Sequence, residues 1–271
     1  MIQEDTFLKF ALISKYANNN FVDIYSCGDL EKSIYPASLS KVFIAAEVLR
    51  QIEITKLNFT RKIKIHKNNV ANFSRKEFPF SKFPILKENK KYSIEKLIFL
   101  MLQRSDDTAT NALIDLVTRE SINHNIISKL EYIGSDLTRK FCPRNKEELK
   151  YKDNPITMTK PIHFVDFYKK LINNDVISNF VSDNLKKMMQ KCIGKTNLNF
   201  INDNANCYYK GGYFMSKLSN GQKCIHRHYT FAVEKNDDKY IFIYFSITKT
   251  NIFTNTIIEN DIKRLYNQFI L

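Results

Sequence analysis

The segments of this chain that favour β-strands stand near its two ends, whereas the long middle carries helical patterns. Stretches rich in aromatic and β-branched residues favour strands, and clusters of Asn, Asp and Gly between them favour turns. On this basis we predict two strands joined by a turn at Asn18–Asn20 and a later group of three, namely Phe7–Ser14, Phe21–Ser26, Cys207–Leu218, Cys224–Val233 and Tyr240–Thr248. The two ends are therefore expected to form one antiparallel sheet.

Helical periodicity occupies most of the remaining chain. The predicted helices are Leu39–Ile52, Ile94–Gln103, Thr108–Thr118, Ile162–Ile172, Val181–Gln190 and Asn255–Ile270. Ser93 is the expected N-cap of the second helix, with Glu95 in its first turn, where the helix dipole favours an acid. Ser182 is interpreted in the same way, as an N-cap followed by the first-turn acid Asp183.

The order of these segments predicts an α/β (α+β) fold with two lobes in a single domain, 1–271. Lobe one, 1–35 plus 206–271, holds an antiparallel five-stranded sheet flanked by helices. Lobe two, 36–205, is an inserted all-helical lobe.

Composition limits the classes of function. Although the net charge is +14, the lysines are scattered and no nucleic-acid-binding motif accompanies them, so no nucleic-acid partner is expected. No stretch of ~18 apolar residues occurs, so no transmembrane segment is predicted. The first ten residues do not resemble a signal peptide. The protein is expected in the periplasm or outside the cell if a signal was removed, and otherwise in the cytoplasm.

The five cysteines are odd in number and lack a C-x-x-C spacing. We therefore expect neither a disulfide framework nor a metal site, and no cofactor. A pairing of Cys207 with Cys224 across neighbouring strands stays open.

Ser38-Leu39-Ser40-Lys41 is the first candidate for chemistry. Residues three apart share a helix face, so Ser38 and Lys41 can touch, and backbone N–H groups at a helix start can stabilise an oxyanion. Lys41 precedes an apolar run, where desolvation should lower its pKa and make it a base. Alone the motif is weak: Ser38 can be a simple N-cap, and Ser93–Lys96 has the same spacing.

Three segments in order make the case stronger. They are Tyr35-Pro36-Ala37-Ser38-Leu39-Ser40-Lys41, then Gln103-Arg104-Ser105-Asp106-Asp107, then Tyr209-Lys210-Gly211-Gly212, with Ser38, Ser105 and Lys210 separated by 67 and 105 residues. From about Phe10 to Ile270 the chain resembles the serine β-lactamase and penicillin-binding superfamily, closest to the class A β-lactamases and their relatives. The resemblance implies a β-lactamase-like fold.

The resemblance also implies roles for individual residues. Ser38 is acylated, Lys41 takes its proton, and Ser105 passes a proton to the leaving nitrogen, while Lys210 supplies positive charge towards a substrate carboxylate. The backbone N–H groups of Ser38 and Tyr213 form the oxyanion hole, and Gly212 lies between Lys210 and Tyr213 on the same strand.

Two substrate-binding positions depart from the family. Asp107 stands where the family has Asn, and an ionised carboxylate cannot donate a hydrogen bond to a substrate carbonyl. Its charge should also favour a protonated Lys41. Gly211 stands where the family has Thr or Ser and lacks the hydroxyl that holds a β-lactam carboxylate.

The deacylating glutamate of class A enzymes has no certain counterpart. Glu147 and Glu148 are possible bases, although they stand closer to Pro161 than the family's glutamate does, and a solvated acidic pair is the alternative. Counting from Leu137 instead brings Phe141 or Cys142 to this position. Without such a base an acyl-enzyme would persist.

Three functions therefore stay open. The first is a β-lactamase-like serine hydrolase that opens cyclic amides and has weak activity on penicillins. The second is a D,D-peptidase or an esterase. The third is a catalytically retired domain that binds peptidoglycan or a partner protein. The expected substrate is a small-molecule or peptidoglycan-like amide, and a monomer is expected.

Overall fold

The structure is a computed structural model that describes residues 7–71, 86–190, 200–201, 205–217, 221, 223–249 and 254–271. Its strands are β1 Phe7–Ala17, β2 Asn20–Cys27, β3 Lys62–Lys64, β4 Lys91–Ser93, β5 Asn206–Lys217, β6 Lys223–Lys235 and β7 Asp238–Lys249. Its α-helices are α1 Lys41–Glu53, α2 Ile94–Gln103, α3 Asp107–Val117, α4 Arg119–Ile122, α5 Pro161–Ile172, α6 Asn179–Gln190 and α7 Thr254–Phe269. No helix within these ranges is long and apolar enough to cross a membrane.

The chain divides into two compact units. Unit 1 comprises Met1–Leu39, Thr159–Asn173 and Met189–Leu271, and unit 2 comprises Ser40–Met158 and Asn174–Met188. The predicted lobes placed the helix at 162–172 in the helical middle, whereas the structure assigns α5 to unit 1. The reason is packing, since α5 contacts strands β1, β6 and β7.

Unit 1 contains the predicted five-stranded antiparallel sheet, with strand order β2-β1-β7-β6-β5. Side chains along a strand alternate between the two faces of the sheet, so each face can pack against a different helix. On one face Ile258, Ile262 and Tyr266 of α7 join the core residues Phe231 and Phe242. On the other face Phe164 of α5 packs against Phe245, and the Tyr168 hydroxyl donates to the Thr230 carbonyl at 2.9 Å.

Unit 2 is mainly helical, and α1 lies in its core. Nine consecutive residues of α1, Lys41–Leu49, are buried. Helices α2 and α3 pack against α1 and against each other. The Ser93 hydroxyl accepts the Lys96 N–H at 3.3 Å and Glu95 stands in the first turn, which confirms the predicted start of α2.

Two local predictions are wrong. Helix α6 begins at Asn179, and the Ser178 hydroxyl caps it by accepting the Val181 N–H at 3.1 Å. Ser182 is therefore inside the helix, where its hydroxyl bonds the Ser178 carbonyl and the Val176 N–H, and Asp183 is not in the first turn.

The suggested Cys207–Cys224 pairing is also wrong, because the strand register pairs Cys207 with Val233 and Cys224 with Ser216. The described cysteines are free, while Cys192 and Leu218 lie outside the described residues.

Candidate active site

Ser38 lies in a short 3-10 helix, Ala37–Ser40, that runs directly into α1. The preceding residue, Ala37, is buried and has φ 50°, a left-handed conformation that side-chain-bearing residues rarely adopt. Such strain persists only where the surroundings hold it, and it is common at functional sites. Ser38 itself is half-buried. The local backbone therefore presents Ser38 at the start of a buried helix.

Lys41 is fully buried, with 0% of its side chain exposed. Its Nζ donates to the Ser105 carbonyl at 2.8 Å, to Ser105 Oγ at 3.1 Å and to Asp107 Oδ1 at 2.6 Å. A carboxylate at this distance stabilises the charged ammonium, which opposes the effect of burial. Lys41, Ser105 and Asp107 thus form one hydrogen-bonded group.

The tight connection between α2 and α3 positions Ser105 and Asp107. Ser105 has φ 53°, and the buried Asp106 caps α3 by accepting the Ala109 N–H at 2.8 Å. The Asp106 N–H in turn donates to the Leu100 carbonyl at 3.1 Å. This cap is a local signal in the sequence, because an Asp before an apolar helix is a preferred N-cap.

Phe141 lies beside the same lysine, with Lys41 Nζ 4.6 Å from the centre of its ring. Asn111 fixes the Phe141 backbone in both directions: its Nδ2 donates to the Phe141 carbonyl at 3.2 Å, and its Oδ1 accepts the Phe141 N–H at 2.8 Å. The neighbouring Cys142 is half-buried, and desolvation raises its pKa to about 11, so it stays a thiol. Of the two residues that counting from Leu137 suggested, Phe141 is the one that contacts Lys41.

Glu147 and Glu148 do not form a solvated pair. Glu147 is buried, accepting from Arg119 Nη2 at 2.7 Å and from the Lys140 N–H at 2.7 Å. Lys140 Nζ lies 2.8 Å from Glu148 and 2.5 Å from Asp115. These partners hold the loop together, and neither glutamate contacts Lys41.

In unit 1, strand β5 packs closely against the Ser38 segment. A Cβ at Gly212 would lie 2.9 Å from the Pro36 carbonyl oxygen and 3.3 Å from both Ala37 Cβ and Leu39 Cγ. Only glycine allows this approach without displacing backbone. Tyr213 follows on the strand with a partly exposed side chain. The close packing at Gly212 therefore brings the Ser38 segment next to strand β5, which carries Lys210.

Lys210 is 3% exposed, and its Nζ donates to the Gly211 carbonyl at 2.8 Å. The Thr230 hydroxyl donates to the Lys210 carbonyl at 2.9 Å. At Gly211 the space that a Cβ would occupy is filled by the hydroxyl of Tyr209. The Tyr209 hydroxyl thus occupies the place of a side chain at position 211. This contact was not predicted from the sequence, although residues i and i+2 lie on the same face of a strand.

His228 supports the Ser38 segment from the neighbouring strand. It pairs with Gly212 across the sheet, and its Nε2 donates to the Tyr35 carbonyl at 3.0 Å. Complete burial lowers the pKa of His228 to about 3; its bond to Tyr35 acts in the opposite direction but is the weaker effect. The sequence contained no signal for this contact, which joins residues 193 positions apart.

Comparison with known proteins assigns the family. Residues 28–246 match the model of the beta-lactamase enzyme family, so the chain belongs to that family and to the serine β-lactamase and penicillin-binding superfamily. No curated protein matches the chain.

Solved structures agree on the fold at low sequence identity. A β-lactamase from Sphaerobacter thermophilus is 18% identical with a TM-score of 0.75, over 97% of this chain and 91% of that one. PBP-A is 14% identical with a TM-score of 0.74, over 99% and 92%. The TLA-3 extended-spectrum β-lactamase is 15% identical with a TM-score of 0.73, over 100% and 96%. These likenesses confirm the β-lactamase-like fold.

Proposed function

We propose that this protein is a serine hydrolase that acts on amides through an acyl-Ser38 intermediate and releases the acyl group slowly. The observation that carries the proposal is the contact of Lys41 Nζ with Ser105 Oγ, at 3.1 Å, in the first turn of the helix that follows Ser38. Ser38 and Lys41 are three residues apart along a continuous helical run, so their side chains share a face. The motif match and this contact support chemistry over a retired binding domain.

Each residue has a defined part in this reaction. Ser38 Oγ attacks the amide carbonyl carbon while Lys41, once neutral, accepts its proton. The N–H groups of Ser38 and Tyr213 stabilise the oxyanion. The C–N bond then breaks, and the leaving nitrogen receives the proton through Ser105. Lys210 supplies positive charge towards an anionic group of the substrate, and water finally hydrolyses the ester.

Slow release follows from the surroundings of Lys41. Hydrolysis of the ester needs a base that activates water, and the ring of Phe141, which lies beside Lys41, has no proton acceptor. The two glutamates of the same loop are bonded to Arg119 and Lys140. This arrangement favours weak turnover of penicillins, as in a D,D-peptidase that β-lactams trap.

The test is incubation with a fluorescent penicillin, followed by mass spectrometry of the intact protein over time. We expect a long-lived adduct on the unmodified chain and none on Ser38→Ala. Ser40→Ala is the matched control, because it removes a neighbouring hydroxyl from the same 3-10 helix, and it should still be labelled. Labelling that persists in Ser38→Ala would exclude Ser38 as the nucleophile. A folded, unmodified chain with no adduct would favour the retired domain.

A further inference from the structure

The carboxylate of Asp107 has two different environments. Its Oδ1 contacts the buried Lys41 Nζ at 2.6 Å, whereas the described part of the chain provides no hydrogen-bond partner for Oδ2. The side chain is 29% exposed. One oxygen is therefore committed to an internal cation, and the other is available to a ligand that enters from solvent.

An ionised carboxylate accepts hydrogen bonds and donates none. A substrate carbonyl placed against Oδ2 would meet another acceptor, whereas an ammonium or N–H group would form a charge-assisted bond. The location rests on the proposed function, because an acyl group on Ser38 lies one helical turn from Lys41, which Asp107 contacts.

We propose that Asp107 determines specificity by binding an ammonium group of the substrate, and that the preferred substrates are amides with a free amine close to the scissile carbonyl. A second cation at Asp107 competes with Lys41 for the same carboxylate, so it also disfavours the protonated form of Lys41. The chain as a whole carries a net charge of +14 and repels cations. A preference for amines therefore originates at Asp107 and not in the overall field.

The experiment compares two penicillins that differ by one amine, benzylpenicillin and its α-amino derivative ampicillin. Their dissociation constants are measured by calorimetry on Ser38→Ala, which binds without reacting. We expect ampicillin to bind about fivefold to tenfold more tightly. Adding Asp107→Asn to Ser38→Ala should abolish this preference. Asp153→Asn makes the same change of charge at an exposed site and should retain it.

Three results would overturn the proposal: equal affinities on Ser38→Ala, a preference that survives Asp107→Asn, or no measurable binding of ampicillin. Asp107→Ser is a second neutral variant if Asp107→Asn does not fold. Because the binding ratio needs no acylation, it is independent of the adduct test on the unmodified chain. Failure of the proposed function appears as a missing adduct, whereas failure of this inference appears as a missing amine preference.

Discussion

Lys41 Nζ lies 4.6 Å from the centre of the Phe141 ring, so an aromatic ring stands directly beside this lysine. A cation over an aromatic ring is stabilised by about 0.5–2 kcal/mol, depending on its hydration. Phe141 therefore favours the charged form of Lys41, and its own ring supplies no group that can activate water. Both effects point to slow loss of an acyl group.

Phe141→Glu is expected to accelerate deacylation. The new carboxylate would stand beside Lys41 on a backbone that Asn111 holds in place, and we expect it to act as the general base for the water that attacks the ester. General-base assistance contributes about 10²–10⁴-fold to a rate. The measurement is the decay of the penicilloyl adduct by mass spectrometry.

Phe141→Gln is the control for this change, because glutamine has nearly the same shape and no basic carboxylate. We expect its adduct to decay as slowly as that of the unmodified chain. If both variants released the acyl group equally fast, space for water and not a base would limit deacylation.

Gly211→Ala is expected to destabilise the fold. The added Cβ would overlap the Tyr209 hydroxyl, and overpacking costs about 1–3 kcal/mol in the free energy of unfolding. Tyr209→Phe removes that hydroxyl, so the same substitution in a Tyr209→Phe background should cost less. Denaturant unfolding of the four proteins gives the coupling free energy of this pair. Additive effects would show that Tyr209 simply moves aside, and the hydroxyl would then not explain Gly211.

Glu147→Gln should destabilise the protein by about 3–5 kcal/mol, because it leaves the buried Arg119 guanidinium without its ionic partner. Thermal and denaturant unfolding measure the loss. The exposed Glu88→Gln makes the same chemical change and should leave stability within about 0.5 kcal/mol of the original. A small effect at Glu147 would mean that water replaces the lost bond.

The sequence could predict those features that local patterns encode. The start of α2 at Ser93 and the five strands follow from capping and composition, the i, i+3 spacing after Ser38 indicated Lys41, and the family resemblance indicated Ser105. The burial of Glu147 could not be predicted, because its partner Arg119 is 28 residues away and no periodicity links them. The predicted N-cap at Ser182 was wrong for a related reason. Ser178 and Ser182 are both suitable N-cap residues, and only the tertiary packing, which buries Ser182, makes Ser178 the cap.

The free energy of unfolding is expected to decrease as the pH is lowered below about 6.5, and His228 is a principal cause. Burial lowers its pKa in the folded protein to about 3, whereas an unfolded chain leaves it near 6.5. Its contribution to stability is therefore complete above pH 6.5 and is lost progressively as the pH falls towards 3, because the unfolded chain then binds a proton that the folded one does not. Each pH unit costs up to about 1.4 kcal/mol.

His228→Gln tests this cause. Glutamine can donate to the Tyr35 carbonyl in place of Nε2 and does not titrate, so the variant should lose less stability between pH 6.5 and 4 than the unmodified chain. Urea unfolding at a series of pH values measures the slope. His124→Gln, at an exposed position, should leave the slope unchanged. His163 and His226 also have pKa values lowered by burial, so part of the acid sensitivity will persist in His228→Gln. A slope identical to that of the unmodified chain would show that His228 is not the group that takes up the proton on unfolding.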